Sequence, residues 1–272
     1  MAENAAAPAE APEVPEGAGE GPSNRPRVWL DMDINETRAA YQRAVDFVAN
    51  RNLAYSLTSD RLEQLGGAEK KRIKDQLYPS DYEWSQKGRI AVVMPPERLT
   101  FELWPDVAPL AVQNFMCLCT GNKGIGSSGR PMHYKGSKVH RLLKDFILQG
   151  GDFVMGNGTG GESVYGKPFK DDKGGLKVKV DRRGLLCMGN SGKNSNTSQF
   201  FITLSDAKNV QSLTGKHVVF GELVDGEQVL NLLERCIDPA GGEQPAYSIH
   251  IADCGVMPET LNELQKHQCG LI

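Results

Sequence analysis

Arg27-Val28-Trp29-Leu30-Asp31-Met32-Asp33-Ile34 alternates apolar and polar side chains with period two, the pattern of a strand with one face in a core. The period then lengthens. Tyr41, Ala44, Val45 and Val48 recur at helical spacing behind Asn35 as a cap candidate, which predicts a helix to about Asn50. A second helical stretch follows Asp60, with Glu63 three residues on; Gly66-Gly67 interrupts it, and residues 68–77 read as one more short helix. A strand pattern resumes over Arg89–Met94, stops at Pro95-Pro96 and returns from Arg98 to Trp104, predicting a hairpin around the prolines. Pro109–Cys119 fits an amphipathic helix with proline near its first position and Gly121 past its end. Gly226–Cys236 fits another, with Val229, Leu232, Leu233 and Cys236 inward. Short β-rich runs at Gly184–Met188, Phe200–Leu204 and Val218–Val224 lie between them, separated by Gly/Asn-rich turns, and no internal repeat is found. A helical insert over about 35–96 therefore interrupts a mainly β domain that carries two further helices.

Composition sharpens this picture. The chain of 272 residues is long for one domain but ordinary for a barrel with additions, and 30 glycines imply many tight turns. The net charge of -3 is unevenly placed: residues 1–24 hold five glutamates and no Lys or Arg, leaving about +2 for the rest. Residues 1–26, rich in Ala, Glu, Pro and Gly, cannot bury enough apolar surface to offset chain entropy and are expected to form a disordered acidic tail. No basic field for nucleic acid is present. The amino terminus lacks the charged and apolar regions of a secretion signal, and no run of about 18 uncharged apolar residues occurs, so the expected location is the cytoplasm, with the nucleus as alternative. In such a compartment the glycosylation triplets at Asn35, Asn157 and Asn196 carry no weight. Six cysteines are too sparse for a disulfide scaffold and lack zinc spacing; most are expected to be buried apolar thiols. Lys70, Lys71, Arg72 and Lys74 form a basic run that is most simply a solvated helix face.

The chemistry lies in several separate blocks. They are Val139-His140-Arg141-Leu142, Phe146-Ile147-Leu148-Gln149-Gly150-Gly151-Asp152-Phe153, Gly158-Thr159-Gly160-Gly161, Tyr165-Gly166, Asn196-Thr197-Ser198-Gln199-Phe200-Phe201-Ile202 and Gly215-Lys216-His217-Val218-Val219-Phe220-Gly221. Taken singly, a His-Arg pair is usually surface, paired phenylalanines are usually core, and Gly-Gly-Asp is usually a turn. Gly158-x-Gly160-Gly161 lacks the Lys-Ser/Thr of a phosphate loop. Taken together and in this order, the blocks resemble the cyclophilins, from about Val28 to Gly255 with the insert as an interruption. The resemblance implies a closed eight-stranded antiparallel barrel capped by two helices, spanning residues 27–256, with a C-terminal tail over 257–272. It also implies peptidyl-prolyl cis/trans isomerase activity on proline-containing polypeptides, with no cofactor and no metal.

On this resemblance Arg141 is the catalytic residue, a permanently charged fork able to hydrogen-bond the proline nitrogen as the bond twists. Phe146, Ile147, Phe201, Leu213 and His217 form the proline pocket. His140 and Gly189 border it, while Gln149, Asn190 and Gln199 fix the substrate backbone and orient the arginine. Departures from the family pattern are informative. Ser212 stands where many members carry tryptophan, so cyclosporin binding is expected to be weakened. Gly189 replaces the usual alanine, and Val139 an aromatic. Residues 121–136 match the longer loop of a divergent subclass without the cysteine expected there, so its redox switch is not expected. Cys269, fourth from the end, fits a prenylation box loosely and is the candidate lipidation residue; only its modification would bring the chain to a membrane. The insert is a candidate docking platform for a protein partner. The alternative to an enzyme is a proline-segment binding module with little turnover.

Overall fold

The computed structural model describes residues 25–206 and 208–271, so most of the expected acidic tail lies outside the described residues. Eight strands build the core: β1 Arg27–Ile34, β2 Arg98–Leu103, β3 Arg141–Leu142, β4 Ile147–Gly150, β5 Leu185–Met188, β6 Phe200–Thr203, β7 Val219–Asp225 and β8 Ile249–Val256. They form one curled antiparallel sheet in the order β3-β4-β6-β5-β7-β2-β1-β8. Strand number and direction agree with the expected barrel, but its ladder is open rather than closed. The chain just before β3 reaches β8 instead: Gly136 N donates to Ile251 O at 2.7 Å, and Val139 N to Ile249 O at 2.9 Å. A single bridge between Lys138 and His250 marks this seam. Gly136 turns the chain there with φ +84°, and β3 has only two residues to pair, so no continuous ladder forms across it.

Alternation within the strands divides two cores. Leu148, Leu186, Met188, Phe200, Ile202 and Phe220 point inward. There they meet helix α3 (Pro109–Thr120) and helix α4 (Glu227–Glu234), the two helices read from the sequence. Gly121, with φ +67°, ends α3 as expected. Its first turn is capped from afar by Asp172, whose carboxylate accepts from Ala111 N at 2.9 Å. Ile147, Leu185, Cys187, Phe201 and Val219 face the other side, beneath Trp104 and Val210.

The insert has its own core. Helix α1 (Thr37–Arg51) buries Ala44, Phe47 and Val48 against Leu62, Ile73, Tyr78 and Trp84. The Phe47 ring meets Tyr78 edge-on at 5.2 Å and Trp84 at 5.6 Å. Asn35 does not cap α1, because it and Glu36 both take left-handed backbone; Asp33 does so, accepting from Thr37 N at 2.7 Å. The stretch after Asp60 makes only a single 3₁₀ turn, Leu62–Gln64. Helical structure over 67–80 follows, with helix α2 (Gly67–Arg72) running into a π-turn, Ile73–Leu77. Residues 89–94 are not a strand, and no hairpin forms around Pro95-Pro96. Both edges of β1 are taken by β2 and β8, and Ala91 N donates instead to Ala40 O of α1, at 3.1 Å. Arg38 and Arg98 both grip the buried Asp31, and Arg38 also holds Glu97, which fastens insert to sheet.

The C terminus is not frayed. Helix α5 (Glu263–Gln268) opens with a capping box, Asn262 with Gln265. The Gln268 carbonyl accepts from Asn122 Nδ2 at 2.7 Å, and Leu261 and Cys269 enter the main core. Among the described residues no helix is long and apolar enough to cross a membrane.

Candidate active site

Register places the site. Arg141 on β3 stands opposite Gln149 on β4, and Gln149 stands opposite Phe201 on β6. Directly opposed residues of antiparallel neighbours share a face, so a cation, an amide and a buried aromatic ring lie abreast on the sheet's second face. Ile147 shares that face two residues before Gln149. Phe146 and Leu213 pack, partly exposed, against the cluster that holds Ile147 and Phe201. His217 sets its ring edge-on to Phe201 at 5.1 Å. Its Nδ1 lies 3.0 Å from Met188 O, a pure acceptor, so Nδ1 carries the proton.

The polar groups form a chain of their own. Gln149 Nε2 donates to Gln199 Oε1 at 2.9 Å, and Gln199 Nε2 donates to Gly158 O at 2.9 Å and Gly160 O at 2.7 Å. Gln149 thus orients Gln199, and neither bonds Arg141, contrary to the role expected for them. A Cβ on Gly189 would stand 3.1 Å from Gln199 Cβ, so the glycine leaves this glutamine room. Asn190 Nδ2 ties its turn to Lys216 O at 3.0 Å. His140 packs over Gly158, where any Cβ would collide with the imidazole. Burial pushes both His140 and His217 below the ordinary imidazole range, so at neutral pH Arg141 holds the permanent positive charge among the predicted site residues.

Asp152 is the organiser that the sequence motif disguised as a turn. Its carboxylate is buried and accepts from the backbone N–H of Met155 (2.9 Å), Gly158 (2.9 Å) and Gly160 (3.0 Å). Burial alone would raise its pKa, but these donors outweigh it and hold the group below the usual range. An internal carboxylate therefore occupies the amides that a phosphate-loop reading would need. The long loop over 121–136 is tied in by Glu162, which accepts from both N and Oγ of Ser127 and of Ser128.

With the fold and these groups in place, comparison with known families is decisive. A family model described as cyclophilin type peptidyl-prolyl cis-trans isomerase/CLD matches residues 89–256. The chain belongs to this family. The matched cyclophilin region runs from just before β2 to the end of β8, so β1 and most of the insert precede it.

The cyclophilin frame also assembles groups that sequence reading did not join. Cys254 Sγ donates to the Cys119 carbonyl at 3.4 Å, and His133 Nε2 lies 3.2 Å from the same oxygen. The Cys119 thiol and His133 draw the Cys254 pKa down, while burial pushes Cys119 up. Cys269, the candidate lipidation residue, ends α5 and is 2% exposed, packed into the main core. A second omission is Glu243, 102 residues after Arg141, whose carboxylate meets the guanidinium; no spacing rule connects the two.

Proposed function

We propose that this cyclophilin catalyses cis/trans isomerisation of X-Pro bonds in polypeptides, with Arg141 as the catalytic residue. The observation that carries the reading is the alignment of Arg141, Gln149 and Phe201 across three neighbouring strands, beside the partly exposed Phe146 and Leu213. Rotation about the bond is slow, about 18–20 kcal/mol, because amide resonance must be lost. As the prolyl nitrogen pyramidalises it gains a lone pair, and a guanidinium N–H aimed at that lone pair stabilises the twisted state over either planar one. Phe146, Ile147, Phe201, Leu213 and His217 would hold the ring, at roughly 25 cal/mol per Å² buried. Gln149, Gln199, Asn190 and the backbone at Gly189 would meet the flanking peptide, with His140 behind them. The reaction needs no cofactor or metal, and it suits a protein of the cytoplasm or nucleus.

The test is an exchange assay on short proline peptides. Arg141→Ala should lower kcat/KM by about 10²-fold or more while leaving the fold intact. An unchanged rate would remove the arginine from the mechanism.

A second reading has its own observation. The insert is a separate small core with Leu53 and Tyr82 exposed on it, as a docking platform for a protein partner would be. In that case the site holds proline segments for scaffolding, and wild type would bind such peptides without accelerating their exchange.

A further inference from the structure

The catalytic candidate does not stand free. Glu243 Oε2 accepts from Arg141 Nε at 3.1 Å and Oε1 from Nη2 at 3.0 Å, a two-point fork on one edge of the guanidinium. The opposite edge, with both Nη1 protons, is left open. The carboxylate is delivered by a built turn. Asp238 Oδ1 accepts from Ala240 N at 2.9 Å and Oδ2 from Gly242 N at 3.2 Å. Gly241 supplies the positive φ, +81°, that the turn requires. Glu243 O then accepts from Leu142 N at 2.7 Å, which pins the glutamate backbone beside the arginine's own strand.

We propose that Glu243 is a positioning residue for isomerisation, holding the Arg141 guanidinium plane so that its free edge faces the prolyl nitrogen. The inference rests on the arginine mechanism above. Three observations support it. An ion pair with side chains 34% and 63% exposed contributes little to stability, so stability alone does not account for the two-point fork. The arginine stem has several rotatable bonds, and a fork fixed at two points removes most of its freedom before substrate arrives. Gln149, the neighbour expected to orient it, is committed to Gln199.

Four proteins decide the matter: wild type, Glu243→Gln, Arg141→Ala and the double variant, assayed for kcat and KM on one proline peptide. Glu243→Gln should lower kcat about five- to tenfold with KM within about twofold and the thermal midpoint unchanged. Adding it to Arg141→Ala should change nothing further, because the glutamate acts only through the arginine. In NMR spectra the Arg141 Nε–H signal should be sharp and slow to exchange in wild type and lose both properties in Glu243→Gln. An unchanged or faster Glu243→Gln enzyme overturns the inference, the faster one marking Glu243 as a competitor for the guanidinium. Should Arg141→Ala match wild type, the arginine mechanism itself fails, a result independent of Glu243.

Discussion

Glu162 carries a clear titration signature. Hydrogen bonds from Ser127 lower its pKa first; burial opposes them, Ser128 adds to them, and the result is about 2. A carboxyl depressed in the folded state contributes stability that is complete above its unfolded value, near 4.3, and is lost as pH falls through the folded one. The amide signals of Ser127 and Ser128 should therefore stay native through pH 4 and shift only near pH 2; a midpoint above 4 would mean that the loop is not held by this contact. Ser212 governs a different property. It is exposed after the turn Lys208–Gln211 and bonds only its own segment, through Asn209 O at 2.5 Å. Calorimetry should find weak cyclosporin binding, improved about tenfold in Ser212→Trp by the added aromatic contact. Tight binding by wild type would show that this wall is unnecessary.

Among the elements, the insert depends on one ring. Phe47 is fully buried and touches Tyr55, Tyr78 and Trp84. Phe47→Ala leaves a cavity that these rigid rings cannot collapse to fill and should cost about 3–5 kcal/mol in urea unfolding followed by Trp84 fluorescence. Because the insert core is separate from the barrel cores, isomerase activity should persist where the insert has loosened. Simultaneous loss of both would instead make the insert a brace for the site. The helix over Thr37–Arg51 was legible from its apolar spacing, whereas the apparent strand at 89–94 was not. Its apolar, β-branched run suits a strand, but strands also need a free partner edge, and only the sheet order reveals that β1 has none.

At the scale of the whole molecule, the C-terminal segment seals the sheet end where the thiols lie. All six cysteines are buried, and Cys117 Sγ donates to the Gln268 carbonyl at 3.5 Å. Native protein should react slowly with a thiol reagent. Truncation after Val256 should expose Cys117 and Cys119 and raise their labelling rate at least about tenfold, measured by mass spectrometry. If the rate is unchanged, the segment does not cover them.

The sequence by itself determined the family, the strands β1, β2, β5, β6 and β7, and the helices α1, α3 and α4. These are carried by local period and by contiguous blocks, which fix chemistry wherever the chain later goes. Tertiary structure alone decided what those groups touch. Arg141 meets Glu243, Asp152 gathers the amides of its own loop, Cys119 meets Cys254, and Cys269 turns into the core at the end of α5. The Arg141, Cys119 and Cys269 contacts join residues far apart in the chain, and Asp152 needs a fold tight enough to bury it. Each depends on strand register and loop closure, which no periodicity encodes.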